Sequence, residues 1–235
     1  MRYTRQELKQ DRFAETAKDA MHWTVAHRAK LVNAGVALAV LLVIVIGGFW
    51  YVRHTEATAA AELGHALLTY DAPIRPANMP PDPQQISFTS VKERAEAASG
   101  EFNKIASSYG ITTAGKFAKY FAGLAAVDKG NDKVAEEHLK YTAGVRDSDV
   151  SSLSKLALAA LYRDTNREAD AVNEYKQLID HPTNTVPKVT AQIQLAELYS
   201  VKQPAEAKKI YEQVAKDNPK SAIAEVATSK AQQLK

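Results

Sequence analysis

Residues 158–182 read LAALYRDTNREADAVNEYKQLIDHP. Leu158, Ala159 and Tyr162 recur at helical spacing, and Ala171 and Tyr175 lie four apart on one helix face. Asp164-Thr165-Asn166 interrupts the two runs as a turn, and Pro182 ends the second. A small residue followed four later by a bulky one lets a neighbouring helix approach and then fills the next gap. The stretch is therefore a helical hairpin. The second half of the pattern returns as Ala98-x3-Phe102, Ala135-x3-Leu139 and Ala207-x3-Tyr211, with the bulky residues 37, 36 and 36 positions apart. The first half returns as Ala122-Gly123-x2-Ala126 and Leu195-Ala196-x2-Tyr199. Lys129-Gly130-Asn131-Asp132 and Lys202-Gln203-Pro204 are the matching turns, and Pro219 closes the last unit. Ala, Leu, Lys, Glu and Gln dominate and β-branched alternation is absent, so the fold class is all-α.

These motifs resemble the tetratricopeptide repeat, whose pattern is L-G-x2-Y, then A-x3-F, then P. The early Trp of that pattern is missing, and the period is nearer 36 than the usual value of about 34. The resemblance implies a helical-hairpin solenoid over residues 53–235, with repeats at about 116–147, 152–183 and 189–219. A degenerate first unit, 55–109, is expected to hold helices at about 55–70 and 89–109, with Leu63-Gly64-x2-Leu67 in the L-G slot and Ala98 and Phe102 in the second helix. Between them, residues 71–87 carry five prolines, Pro73, Pro76, Pro80, Pro81 and Pro83, and cannot be helical. This insert is expected to be an extended surface loop; a partner-binding loop is the alternative. Residues 221–235, with Ala222, Ile223, Val226 and Ala227, read as a helix capping the last repeat.

In tetratricopeptide arrays the first helix of each unit lines a concave groove. Carried across in register, the groove takes Phe117, Tyr120, Leu124 and Val127 from one unit and Leu153, Leu156, Ala160 and Arg163 from the next. Thr190, Ile193, Glu197 and Ser200 follow from the last. Either these residues receive an amphipathic or unfolded protein segment, or some simply pack against the preceding hairpin. Family members that clamp a C-terminal carboxylate use Lys, Arg and Asn, where this chain has Tyr120, Leu124 and Ala157. That clamp is not expected here.

Upstream of the repeats, residues 31–52 contain no Asp, Glu, Lys, Arg or His, and Lys30 and Arg53 bracket them. At helical rise they span roughly 33 Å, enough to cross a hydrocarbon core of about 30 Å. A buried helix of this length would show a polar face, and a signal peptide would have a shorter apolar region and leader. A retained transmembrane helix is expected, although the Ala-rich sequence after it leaves cleavage open. Residues 1–30 hold seven basic and four acidic side chains, whereas only Arg53 and Arg75 lie between the apolar run and Lys92. The positive-inside bias puts the N-terminus in the cytoplasm and residues 53–235 across the membrane. Trp50 and Tyr51 suit the far interface. Residues 4–29 read as an amphipathic helix with a Thr4-Arg5-Gln6-Glu7 capping box and an apolar stripe of Leu8, Phe13, Ala17, Ala20 and Met21. It is expected to lie at the membrane surface; a docking helix is the alternative.

The formal charge of +3 belongs entirely to the tail, because residues 53–235 carry twenty-three basic and twenty-three acidic side chains. The repeat region thus shows no basic footprint for nucleic acid. With no cysteine, the chain has no disulfide, no thiolate metal site and no lipid-modified N-terminal Cys. His22, His27, His54, His65, His138 and His181 show no ligand spacing, and no phosphate-binding or nucleophile motif occurs. No catalytic, cofactor or metal role is expected.

A short cytoplasmic tail, one N-terminal membrane helix and a small extracytoplasmic repeat domain resemble the YfgM-like proteins, ancillary subunits of the bacterial SecYEG translocon. That resemblance implies a single-pass protein of the bacterial inner membrane with a periplasmic C-terminal domain. It implies a non-catalytic scaffold whose partners are the translocon and extracytoplasmic chaperones or emerging, unfolded clients. A scaffold for envelope assembly or cell division, with no translocon link, is the alternative. The longer tail and the proline insert depart from the family plan.

Overall fold

The computed structural model describes residues 27–234. The tail helix expected at 4–29 therefore lies almost wholly outside the described residues. Within them are nine helices: α1 (Arg28–Tyr70), α2 (Val91–Ser108), α3 (Thr113–Asp128), α4 (Asp132–Ala143), α5 (Ser148–Asp164), α6 (Glu168–Asp180), α7 (Lys188–Lys202), α8 (Pro204–Asp217) and α9 (Ala222–Gln233). No strand occurs among the described residues; a lone parallel bridge joins Ile74 and Phe88. This is the all-α hairpin array that the repeat pattern predicts.

The chain divides into two compact units, Met1–His54 and Thr55–Lys235. In the first, the apolar part of α1 leaves its side chains uncovered: Val43 is 71% exposed, and Ile44, Ile46 and Phe49 are similar. Among the described residues α1 alone is long and apolar enough to cross a membrane. Near the end of this stretch Trp50 stacks on His54 with ring centroids 5.5 Å apart, and the Arg53 guanidinium lies 5.4 Å from the Phe49 ring centre.

In the second unit, the remainder of α1 buries Ala59, Ala66 and Thr69. Leu63, Leu67 and Tyr70 pack with Ala95, Ala98 and Phe102 of α2. The sequence suggests a fresh helix near residue 55, but helical backbone runs without a break from Arg28 to Tyr70. No Gly or Pro falls between Gly48 and Gly64 to stop it.

From α2 onward each helix packs on the next, and α3 also touches α5. The small-then-bulky pairs form the spine. Ala98, Ala135, Ala171 and Ala207 are fully buried, as are Phe102, Leu139 and Tyr175, with Tyr211 2% exposed. Gly123 shows why the opposing slot stays small. A Cβ there would stand 2.9 Å from Leu139 Cγ.

Local chemistry sets the helix ends. Ser90 Oγ accepts the Glu93 N–H at 3.1 Å while the Glu93 carboxylate accepts the Thr89 N–H at 2.8 Å, a capping box shifted by one residue. Thr112, Asn131, Asp147 and Ser221 cap α3, α4, α5 and α9. The start of α3 receives a second cap from a distance: the Glu56 carboxylate accepts the N–H groups of Thr113 and Ala114 at 2.8 and 2.9 Å. A negative charge there also meets the positive end of the α3 dipole.

The hairpin turns repeat as well. Gly130 and Asn166 occupy the same slot, 36 residues apart, both with left-handed φ of 74° and 59°. In the third turn the matching residue, Lys202, is still helical, and Gln203 alone separates α7 from α8, whose first residue is Pro204. The proline insert contains no helix. The Arg75 N–H donates to the Phe88 carbonyl at 2.8 Å, the Phe88 N–H to the Pro73 carbonyl at 3.1 Å, and Arg94 Nη1 to the Ala72 carbonyl at 3.2 Å. Its ends are thus drawn together.

Since a Cβ is disfavoured at left-handed φ, Gly130→Ala should destabilise the repeat unit by about 1 kcal/mol. Asn166→Gly should cost no more than a few tenths, because asparagine tolerates this conformation. Urea unfolding followed by circular dichroism checks both; equal effects at the two sites would sink the assignment.

Candidate protein-binding groove

The first helices of the three hairpins, α3, α5 and α7, carry the residues singled out for a groove. On α3, Phe117 and Leu124 are half-buried, Tyr120 is 9% exposed, and Val127, near the helix end, is 37% exposed. Leu153 and Leu156 of α5 are half-buried and join Phe117, Tyr120 and Leu124 in one apolar cluster. Ala160, Arg163, Thr190, Ile193, Glu197 and Ser200 are all half-buried. Tyr120, with its ring edge-on to Phe121 at 5.1 Å, is mostly core. Burial pushes its phenol upward in pKa.

The structure brings these residues together as two chemically different regions. The α3–α5 end is apolar. Toward the C-terminus a polar ladder takes over: Arg163 Nε pairs with Asp164 at 2.9 Å, and Arg163 Nη1 donates to Gln194 Oε1 at 3.3 Å. Gln194 Nε2 then donates to Glu197 at 3.3 Å, and Lys230 Nζ of α9 pairs with Glu197 at 2.9 Å. The ladder links α5, α7 and α9. Gln194 and Lys230 were not singled out from the sequence. Spacing gave no signal for them, since Arg163 to Gln194 is 31 residues and Glu197 to Lys230 is 33, both short of the 36-residue repeat.

Tyr175 of α6 is fully buried, and its hydroxyl has no hydrogen-bond partner among the described residues. Burial raises its pKa, and the nearby Arg163 partly offsets that rise.

A separate ionic knot joins the α3–α4 and α5–α6 hairpins. Glu136 of α4 accepts from Lys140 at 2.7 Å, from Arg167 at 2.8 Å and from Tyr162 Oη at 3.2 Å. The Arg167 guanidinium also covers the Tyr162 ring at 4.2 Å. Hydrogen bonds from Lys140 and then Arg167 hold the Glu136 carboxyl down at about 2, against a small opposing effect of burial. This acid is consumed in holding hairpins together. Among the described residues no group of three or more His, Asp or Glu could hold a metal ion.

Two outcomes follow. Glu136 has its pKa lowered on folding, so its stabilisation is complete above the ordinary Glu value of about 4.5 and is lost as pH falls toward about 2. Glu136→Gln should therefore destabilise at pH 7 and flatten the pH dependence of the urea midpoint between those values; an unchanged slope would sink the pairing. Tyr175→Phe removes a buried hydroxyl with no partner and should be neutral or stabilise by up to about 1 kcal/mol. A loss above that would mean the hydroxyl is satisfied in solution.

A family model described as a tetratricopeptide repeat-like domain matches residues 22–177. No curated protein and no solved structure matches the chain.

Proposed function

The chain belongs to the tetratricopeptide repeat-like domain family, and from that premise we propose a membrane-anchored, non-catalytic scaffold that captures protein segments on the face built by α3, α5 and α7. Protein partners follow from the fold itself; their identity is the proposal. The observation that carries this reading is the change along one face, from Phe117, Leu124, Leu153 and Leu156 to the Arg163–Gln194–Glu197–Lys230 ladder. Apolar side chains supply shallow, sequence-tolerant contact, and the ladder supplies polar groups that orient a segment.

In this reading residues 1–30 are a cytoplasmic tail, 31–52 cross the bilayer, and 53–235 form the extracytoplasmic interaction domain. The uncovered apolar side chains of α1 and the seven basic residues before the span support this topology. The anchor confines the groove beside its partner and raises its effective concentration, so weak affinity suffices. The overall plan, like that of YfgM-like proteins, favours a position beside a SecYEG-type translocon, linking it to extracytoplasmic chaperones or emerging chains.

Affinity purification of the full chain from gently solubilised membranes tests the partner, and translocon subunits are the expected recovery. Their absence beside abundant envelope-assembly or division proteins would overturn the translocon assignment. The groove is tested by Val127→Asp with Arg163→Glu, two positions that are not fully buried. Capture of the same partners should fall by about tenfold or more. Unchanged capture by a folded double variant would remove the groove from the function. Tyr120 is left intact because its burial makes any charge there a test of folding.

A further inference from the structure

A second concavity lies between α2, α3 and α4, an open cleft of about 520 Å3. Asn103 and Ser107 of α2, Lys116 and Lys119 of α3, and Glu137 and Tyr141 of α4 line it. At about 100° per residue, Lys119 points well away from Phe117, Tyr120 and Leu124, so the cleft is separate from the groove.

Internal comparison of the repeats shows an acid in a different place: the later unit has Asn173 and a half-buried Glu174 where the earlier one has an exposed Glu137 and His138. Lys119 and Lys155 occupy the same register 36 residues apart, as do His138 and Glu174. In the later unit the half-buried Glu174 has its pKa raised by burial, while the neighbouring Lys155 pulls it back. That unit carries its own carboxylate near its lysine. In the earlier unit the same slot holds His138, which is 7% exposed and whose Nδ1 has no hydrogen-bond partner among the described residues. Burial first, and Lys119 second, push this imidazole toward its neutral form, and Glu137 partly opposes them. Lys116 and Lys119 are each half-buried and make no ion pair among the described residues. The exposed Glu137 is the one carboxylate in the lining.

Lys116 and Lys119 give the cleft two positive charges against the single exposed carboxylate of Glu137, a surplus that an external carboxylate can neutralise. We infer that this cleft receives a side-chain carboxylate from an acidic segment of a protein partner, with Lys119 as principal donor and Lys116 as the second. The volume exceeds that of one small anion, and Tyr141, 60% exposed, offers an apolar face to flanking side chains. Glu137 at the cleft disfavours a polyphosphate backbone, which would place further negative charge against it, but leaves room for an isolated carboxylate.

The test uses the full chain in neutral detergent and a fluorescein-labelled, end-blocked hexaglutamate peptide, read by anisotropy. The wild type should bind. Lys119→Met should weaken binding by about tenfold, the effect of one charge-assisted hydrogen bond. Lys155→Met, in the unit with the half-buried Glu174, should change it less than about twofold. His138→Glu, which restores the internal carboxylate, should weaken binding as Lys119→Met does. If His138→Glu fails to fold, the surface pair Lys119→Met and Lys155→Met still decides the matter, with thermal melting as the folding control. Equal losses at Lys119 and Lys155 would reduce the interaction to general attraction and overturn the site. So would no binding at all, or displacement by inorganic phosphate as effective, at matched ionic strength, as displacement by unlabelled hexaglutamate.

Discussion

The array depends on one steric interlock: an alanine under a neighbouring helix, followed one turn later by a large ring or leucine. Ala98 with Phe102, Ala135 with Leu139, Ala171 with Tyr175 and Ala207 with Tyr211 are all essentially without solvent exposure. No hairpin of this kind buries its own apolar face alone, so each unit is completed by the next. A larger residue at the small position would force the helices apart, and a smaller one at the bulky position would leave a cavity. The interlock also aims the first helix of each unit, and so it places Tyr120, Leu156 and Ile193 at matching positions along successive helices.

Carboxylates then fasten elements that are distant in sequence. Glu56 of α1 closes the start of α3, Glu136 of α4 holds Arg167 at the start of α6, and Glu197 of α7 holds Lys230 of α9. Partly exposed pairs of this sort contribute little individually, about 0–1 kcal/mol. Their geometric effect is larger, because each fixes the register of one helix against another. The Glu56 contact has the most direct structural reason, since the first amide groups of any helix need acceptors.

The same economy of charge separates the two concave surfaces. Along the groove every charged group of the ladder is satisfied within the chain, so a ligand there meets oriented but neutralised polar groups and an apolar strip. In the α2–α4 cleft two lysines face one exposed carboxylate, Glu137. One surface suits broad, weak contact and the other suits a charged contact that discriminates.

Much of this was legible in the residues. The 36-residue recurrence of a small residue before a bulky one identified the hairpins, the faces they bury and the fold class, because burial in a helical array imposes a local period of four and a long period of one repeat. The uncharged run 31–52 likewise marks its own chemistry, since a helix apolar all round must be covered on every side, by protein or by a bilayer. The continuity of α1 through residue 55 was harder to read, as charge at Arg53 marks a change of surroundings but does not stop a helix. The Glu56 cap, the Arg163–Gln194–Glu197–Lys230 ladder and the unpaired Lys119 beside a buried His138 were decided only by the tertiary structure. Each brings together groups on different helices, and whether two such groups meet depends on packing distances of a few ångströms that no periodicity along one chain encodes.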